Sequence, residues 1–223
     1  MNPPATLPPD EPSDPGSAGG GYELGAAVAV LIATVLGGVV AVQPGPLGGE
    51  LAFVRALQDL PEPVPSLAEF VRFTTGSEGA LLVAAPAIAW LAWRRRRRDY
   101  LAIAVVLGTI LVVQPVAKEI VDRPRPDSSQ VDVRAGHESR SYPSGHSLST
   151  TTVWGAAAGL LWLARRRRLA VMATVPIVLT GFASSVQGVH WPSDAIGGTL
   201  VGFAAAVIVV RLVDDSRTPS RTD

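Results

Sequence analysis

Three short polar clusters interrupt an otherwise apolar chain, and their residue types are those of phosphoryl chemistry. The first runs from Lys118 to Arg125-Pro126, the second is Tyr142-Pro143-Ser144-Gly145-His146, and the third is His190-Trp191-Pro192-Ser193-Asp194. Lys118 is the single lysine of the chain, and His146 and His190 are two of its three histidines. Scarce ionisable residues beside membrane spans are expensive to keep, so they read as a functional site by default. A phosphoryl group in transfer spreads negative charge over its equatorial oxygens, and positioned cations do much of the catalysis. Lys118 and Arg125 supply two such cations. Ser144 and Gly145 precede an apolar run, where a helix start offers free N–H groups and glycine lets a phosphate approach closely. His146 at that helix start is placed to protonate a leaving oxygen. His190 and Asp194 are four apart, within one helical turn, so the carboxylate can hold one ring nitrogen and leave the other to attack phosphorus. Each residue also has a blander reading. Lys118 and Arg123 can snorkel to an interface, Ser144 can be a simple N-cap, and Asp194 can cap a helix beside an interfacial Trp191. The co-occurrence of all three clusters favours the chemical reading.

The clusters resemble the three signature motifs of the type 2 phosphatidic acid phosphatase superfamily, the histidine-dependent lipid phosphatases. Lys118 and Arg125-Pro126 match the first motif with its six-residue spacer, Pro143-Ser144-Gly145-His146 matches the second in full, and His190 and Asp194 match the end of the third. The resemblance implies a phosphohistidine on His190 oriented by Asp194, with His146 as general acid. It implies a phosphate held by Lys118, Arg125, Ser144 and Gly145, no cofactor, and a lipid phosphate or polyprenyl pyrophosphate as substrate. One position departs. The third motif carries Ser-Arg ahead of its histidine, with the arginine six positions before it, and this chain has Ala183 and Ser184 there. A serine hydroxyl brings no charge and cannot bind two phosphate oxygens as a fork. Losing one preorganised donor costs on the order of 3 kcal/mol, a hundredfold or more in rate. Arg140, between the first two motifs, is the candidate to compensate, together with Ser184 itself; His137 and Arg134 share that loop and default to solvent. A phosphotransferase to a lipid or sugar acceptor, or a weak or inactive lipid-phosphate binding or transport protein, are the alternatives. The intact remainder of the three motifs favours an active hydrolase.

The elements that must position these residues are apolar helices. Nearly half the chain is apolar, mean hydropathy is positive, and the charges gather in runs. The expectation is an all-α integral membrane bundle of six spans at about 24–42, 79–93, 100–117, 147–164, 169–189 and 195–210. Residues 1–21 read as a disordered cytoplasmic tail, 22–213 as the transmembrane phosphatase domain and 214–223 as a second cytoplasmic tail. The stretch 66–73 reads as a short amphipathic helix at the membrane surface, Leu67, Phe70 and Val71 against Glu69 and Arg72. Arg94 to Arg98 and Arg165 to Arg168 each lie between two spans, and the positive-inside rule puts both runs in the cytoplasm. All three polar clusters then fall on the extracytoplasmic side, an agreement reached without the motifs. The composition suggests a bacterial cell membrane. Zero net charge gives no general attraction to nucleic acid,. The absence of cysteine excludes thiolate chemistry, and no histidine–carboxylate spacing suits zinc,. Gly155 and Gly159, at small-xxx-small spacing, suit packing within the chain as readily as a dimer, so oligomeric state stays open.

Overall fold

The computed structural model describes residues 17–43, 45–135 and 139–215. The expected tail through residue 16, the last eight residues and His137 lie outside the described residues. Those described form ten α-helices and no strand: α1 (Ser17–Val42), α2 (Glu50–Gln58), α3 (Val64–Thr75), α4 (Ser77–Arg94), α5 (Arg97–Gly108), α6 (Gln114–Val121), α7 (Gly145–Leu163), α8 (Arg167–Met172), α9 (Val175–Val186) and α10 (Pro192–Asp215). A π-helical turn, Thr109–Val113, joins α5 to α6 without interrupting the rod.

Four helical segments are long and apolar enough to cross a membrane: Tyr22–Val42, Arg97–Val121, Arg167–Val186 and Pro192–Asp214. The bent pair α3–α4, angled by 45°, makes a fifth if taken as one span. The helix at the expected fourth span, α7, is absent from that set because its first half, Ser147 to Thr152, is rich in hydroxyls. Those hydroxyls are buried rather than turned to lipid. Thr152 and Ser149 bond back to the carbonyls of Leu148 and His146, and Thr150 donates to the carbonyl of Thr75 at 3.0 Å, tying α7 to the α3–α4 break. Three other boundaries differ from expectation. α1 begins at Ser17, inside the expected tail, and α10 runs to Asp215. The fifth span is broken at Ala173-Thr174, just ahead of Pro176 in the first turn of α9, where a proline is tolerated,.

α7 is the central helix, packing on α3, α4, α8, α9 and most extensively on α10. Small residues set that last contact. A Cβ on Gly155 would stand 3.1 Å from Ala206, one on Gly202 2.6 Å from the Leu148 carbonyl, and one on Gly198 against the Ser144 carbonyl. Helices in lipid gain little from apolar burial against each other, so close backbone approach through small residues is what holds them. The Gly155/Gly159 pair thus serves packing within the chain. Leu91, Val106, Leu148 and Val209 form the apolar core around these helices. Large apolar side chains such as Leu31, Leu82, Val178 and Phe203 face outward.

α3 shows the inversion expected of a helix against lipid. Leu67, Phe70 and Phe73 are exposed while Ala68, Arg72 and Thr75 are buried. The sequence pattern had grouped Arg72 with Glu69 on a wet face; the packing of α3 on α9 turns Arg72 inward and leaves Glu69 outside.

Candidate active site

The three clusters meet at one end of the bundle, where α6 ends and α7 and α10 begin. α7 runs from this end to one basic run, and the rod of α5 and α6 starts in the other basic run and ends here, so site and basic runs are separated by the length of the helices, about 28 Å for α7,. The sequence makes this end rigid by local means. Ser144 is the N-cap of α7, its Oγ accepting the Ser147 N–H at 3.4 Å, and its own N–H donates to the Asp194 carbonyl at 3.0 Å. α10 opens with proline at its first position, and Asp194 Oδ2 accepts the Trp191 N–H at 2.8 Å, an aspartate cap on an orphan donor,. Gly145 packs closely against α6: a Cβ there would stand 2.5 Å from the Gln114 side-chain amide, which would have to move aside.

His190 is buried between a cation and an anion. Arg125 Nη1 is 3.1 Å from its Nε2. Its Nδ1 faces the Ser141 hydroxyl at 3.3 Å and Asp194 Oδ2 at 3.7 Å. A guanidinium can only donate, so Nε2 is the acceptor and the ring proton sits on Nδ1. Ser141 Oγ in turn donates to Asp194 Oδ2 at 2.5 Å. The expected histidine–aspartate pairing therefore runs largely through Ser141, since 3.7 Å is beyond a hydrogen bond.

Asp194 has a second duty. Its Oδ1 accepts from Arg123 Nη1 at 2.6 Å. Arg123 is fully buried and also donates to Ser193 Oγ at 2.7 Å, the Gly45 carbonyl at 3.0 Å and Glu50 Oε2 at 2.9 Å. Glu50 Oε1 accepts the Ser193 N–H and hydroxyl at 2.7 and 2.6 Å. The reading of Arg123 as an interfacial snorkel is overturned: it is the structural counter-ion that holds the start of α10 to α2.

The two motif cations converge on one loop residue. Lys118 Nζ donates to Ser139 Oγ at 3.1 Å and the Arg140 carbonyl at 2.8 Å. Arg125 donates through Nε to the Ser139 carbonyl at 2.7 Å, through Nη2 to Ser139 Oγ at 3.1 Å and through Nη1 to the Val189 carbonyl at 2.6 Å. Burial holds the Arg125 guanidinium down from its ordinary value to about 10, with Asp194 pulling the other way. A hydroxyl oxygen shared by two cations is a poor counter-charge, so this is a place where an oxyanion would be stabilised.

His146 sits in the first turn of α7 beside the α3–α4 break, its Nε2 3.3 Å from where a Cβ on Gly76 would lie. Ser184, on α9, is buried and accepts from Arg72 Nη1 at 3.3 Å. Arg140 goes elsewhere: its guanidinium pairs with Asp122, half exposed, and only its carbonyl reaches a site cation. Arg134 pairs with Asp132 at 2.8 Å in the outer loop.

Sequence reasoning thus located His190, His146, Asp194, Lys118, Arg125, Ser144 and Gly145 at one end of the fold. It missed Ser141, Arg123, Glu50, Gln114 and Arg72. Ser141 adjoins the second motif and was within reach of inspection. Glu50 and Arg72 lie outside the matching region, on helices whose inward faces only the packing defines.

Fold and site together define an all-helical membrane protein whose buried histidine is set between a guanidinium and a carboxylate. The chain belongs to the PAP2 superfamily, whose family model matches residues 99–218. It is 32% identical over 122 residues to phosphatidylglycerophosphatase B of Bacillus subtilis (strain 168), which covers 52% of this chain and 58% of that protein. It is 31% identical over 166 residues to decaprenylphosphoryl-5-phosphoribose phosphatase of Mycobacterium tuberculosis (strain ATCC 25618 / H37Rv), covering 72% of this chain and 89% of that one. The crystal structure of a transmembrane PAP2-type phosphatidylglycerolphosphate phosphatase from Bacillus subtilis superposes with a TM-score of 0.71 at 24% identity, over 88% of this chain and 98% of the other; that likeness is one of fold.

Proposed function

We propose that the chain is a membrane phosphatase that hydrolyses a lipid phosphate monoester or polyprenyl pyrophosphate through a phosphohistidine on His190. The observation that carries the reading is the placement of His190 Nε2 as an unprotonated acceptor against Arg125, with Nδ1–H directed at Ser141 and Asp194. An incoming phosphate takes over the donors of Arg125 and Lys118 and frees the Nε2 lone pair. Nε2 attacks phosphorus, the bond to the lipid oxygen breaks with its electron pair on that oxygen, and His146 protonates it. Water then attacks the phosphohistidine, giving a proton to His146; the P–N bond breaks and the pair returns to Nε2. Asp194, through Ser141, offsets the positive charge that His190 carries while phosphorylated.

The basic runs at the far end of the helices support an orientation with the site extracytoplasmic and both termini in the cytoplasm,. That topology takes α7 as a spanning helix and gives six crossings. Two relatives bear names of enzymes that act on phosphatidylglycerophosphate and on decaprenylphosphoryl-5-phosphoribose. Both names describe a lipid with a terminal phosphate, and we place the substrate in that class.

The test is phosphate release by purified protein in detergent. Phosphatidylglycerophosphate, phosphatidate, decaprenylphosphoryl-5-phosphoribose and a polyprenyl pyrophosphate are each supplied with EDTA present. Turnover in wild type and none in His190→Ala or His146→Ala is the expected result. No turnover of any of them by wild type, or full turnover by His190→Ala, would overturn the reading. Activity lost to EDTA and restored by magnesium or zinc would overturn its metal independence.

A further inference from the structure

We propose that Arg72 of α3 is a phosphate-binding residue, supplying from outside the three motifs the guanidinium that α9 lacks at Ser184. Its substrate rests on the phosphatase reading above; the placement of the cation does not.

A guanidinium buried at the lipid-facing edge of a bundle needs a reason, because an ionisable group there is expensive unless function keeps it. α3 spends its outward face on Leu67, Phe70 and Phe73 and turns Arg72 inward, one turn below Thr75. Arg72 Nη1 reaches Ser184 Oγ at 3.3 Å. Ser184 is the residue standing where the third motif carries its arginine, so the Arg72 charge arrives from a different helix at the vicinity the motif arginine would occupy. Two further relationships place it near the reaction centre. Arg125, which holds His190, lies within electrostatic range of Arg72. One turn beyond Arg72, Gly76 lies against the His146 imidazole. Arg72 is therefore linked to the nucleophile side through Arg125 and to the acid side through Gly76.

The alternative for a buried arginine is a purely structural ion pair of the kind Arg123 makes with Glu50 and Asp194. What distinguishes Arg72 is its place: its guanidinium meets the hydroxyl at the motif-arginine position, in the neighbourhood of a second cation. Like charges brought together in a buried site repel, and an anion between them relieves that repulsion. Lys118, Arg125 and Arg72 then form three sides of an oxyanion cradle, with Arg123 committed elsewhere.

The experiment compares wild type with Arg72→Gln and with the double variant Arg72→Gln/Ser184→Arg, which moves the guanidinium back to α9. Gln keeps a donor near Ser184 and removes the charge. Two readouts are taken in detergent: orthovanadate binding by thermal shift, and kcat/KM on the lipid panel. Arg72→Gln is expected to weaken orthovanadate at least tenfold and to lower kcat/KM on the order of a hundredfold. The double variant is expected to recover at least tenfold of each. Orthovanadate binding and turnover in Arg72→Gln equal to wild type would overturn the proposal. So would a folded double variant no better than the single one, since a structural role is not restored by a guanidinium on another helix. If Arg72→Gln does not fold, Arg72→Lys decides: the charge retained should retain orthovanadate within a few-fold, and its loss would overturn the proposal. Orthovanadate binding that depends on Arg72 in a protein that turns over no lipid would sink the phosphatase reading and leave this one standing.

Discussion

Arg125 Nη1 lies 3.1 Å from His190 Nε2. Because the guanidinium has no lone pair to offer, this contact fixes the histidine tautomer, with Nε2 as the acceptor. In the mechanism proposed above, substrate binding and nucleophile release are then one exchange: the oxyanion takes the N–H donors and the imidazole is freed.

Burial makes the Arg125 charge unfavourable in the empty site, holding the group down to about 10. An anion reverses that, so inorganic phosphate should raise the thermal midpoint of the detergent-solubilised protein. At a concentration of about 100 times its dissociation constant the gain is about 2.7 kcal/mol. The sign with pH follows from the free group. Below about 10 Arg125 is charged with or without anion and protection is full; as pH rises through about 10 the empty site loses its proton first and protection fades,. Arg125→Gln should abolish the shift. A phosphate shift of wild-type size in that variant would mean that the anion binds elsewhere.

Ser141 spans the gap between His190 Nδ1 and Asp194, at 3.3 Å from one and 2.5 Å from the other. Removing its hydroxyl leaves a 3.7 Å separation and takes one donor from a buried carboxylate. Hydrogen bonds to charged groups contribute about 1.5–3 kcal/mol, so Ser141→Ala should lower kcat by roughly tenfold to a hundredfold. KM should move by less than about threefold, since Ser141 stands on the Nδ1 side of the ring and Arg125 on the Nε2 side,. Steady-state kinetics on the preferred lipid gives the split. A rise in KM with kcat unchanged would place Ser141 in binding instead.

Arg123 carries two buried carboxylates, Glu50 and Asp194, on one guanidinium. Breaking a buried pair from the side of the shared partner strands the rest, at about 3–5 kcal/mol. Arg123→Leu should therefore fail to fold or lose most of its detergent stability. Glu50→Gln should cost clearly less, because Arg123 keeps Asp194. Thermal unfolding followed by tryptophan fluorescence orders the two; equal midpoints would show that the Arg123–Asp194 pair adds nothing beyond the Glu50 pair.

The clusters were legible in the sequence because they are polar islands in apolar surroundings, and Lys118, His146 and His190 stand out by scarcity alone. The helical class was legible from hydropathy for the same reason. The first half of α7 is polar yet buried: Ser149, Thr150 and Thr152 donate to carbonyls inside the bundle, which no window average detects. Arg72 and Glu50 were illegible because burial of a single charge depends on which face of a short helix is turned inward. For α3 that was decided by α9, far away in sequence. The role of Arg123 was illegible because its place at a helix end fits snorkelling as well as ion pairing, and only its four partners distinguish the two.

Close packing of α7 on α10 sets the spacing between His146 and His190, and the glycines that allow it differ in what they face. A Cβ on Gly202 meets backbone, the Leu148 carbonyl at 2.6 Å and the Thr152 nitrogen at 3.1 Å, together with the Thr151 Cβ at 2.8 Å. A Cβ on Gly159 meets Val210 Cγ2 at 2.6 Å, and its next neighbours stand 3.6 Å away. A side-chain methyl can rotate aside, whereas two helix backbones must separate, and overpacking of that kind costs about 1–3 kcal/mol. Gly202→Ala should therefore lower the thermal midpoint in detergent more than Gly159→Ala. It should also lower kcat, because it wedges the helices one turn from Gly198 and the Ser144 cap. Gly38→Ala is the control: nothing stands within 4 Å of its Cβ, and alanine favours a helix by about 0.8–1.0 kcal/mol over glycine, so its midpoint should hold or rise,. If Gly202→Ala leaves both midpoint and kcat at the wild-type level, the α7–α10 contact is looser than these distances require, and the geometry of the two histidines is set by the loops instead.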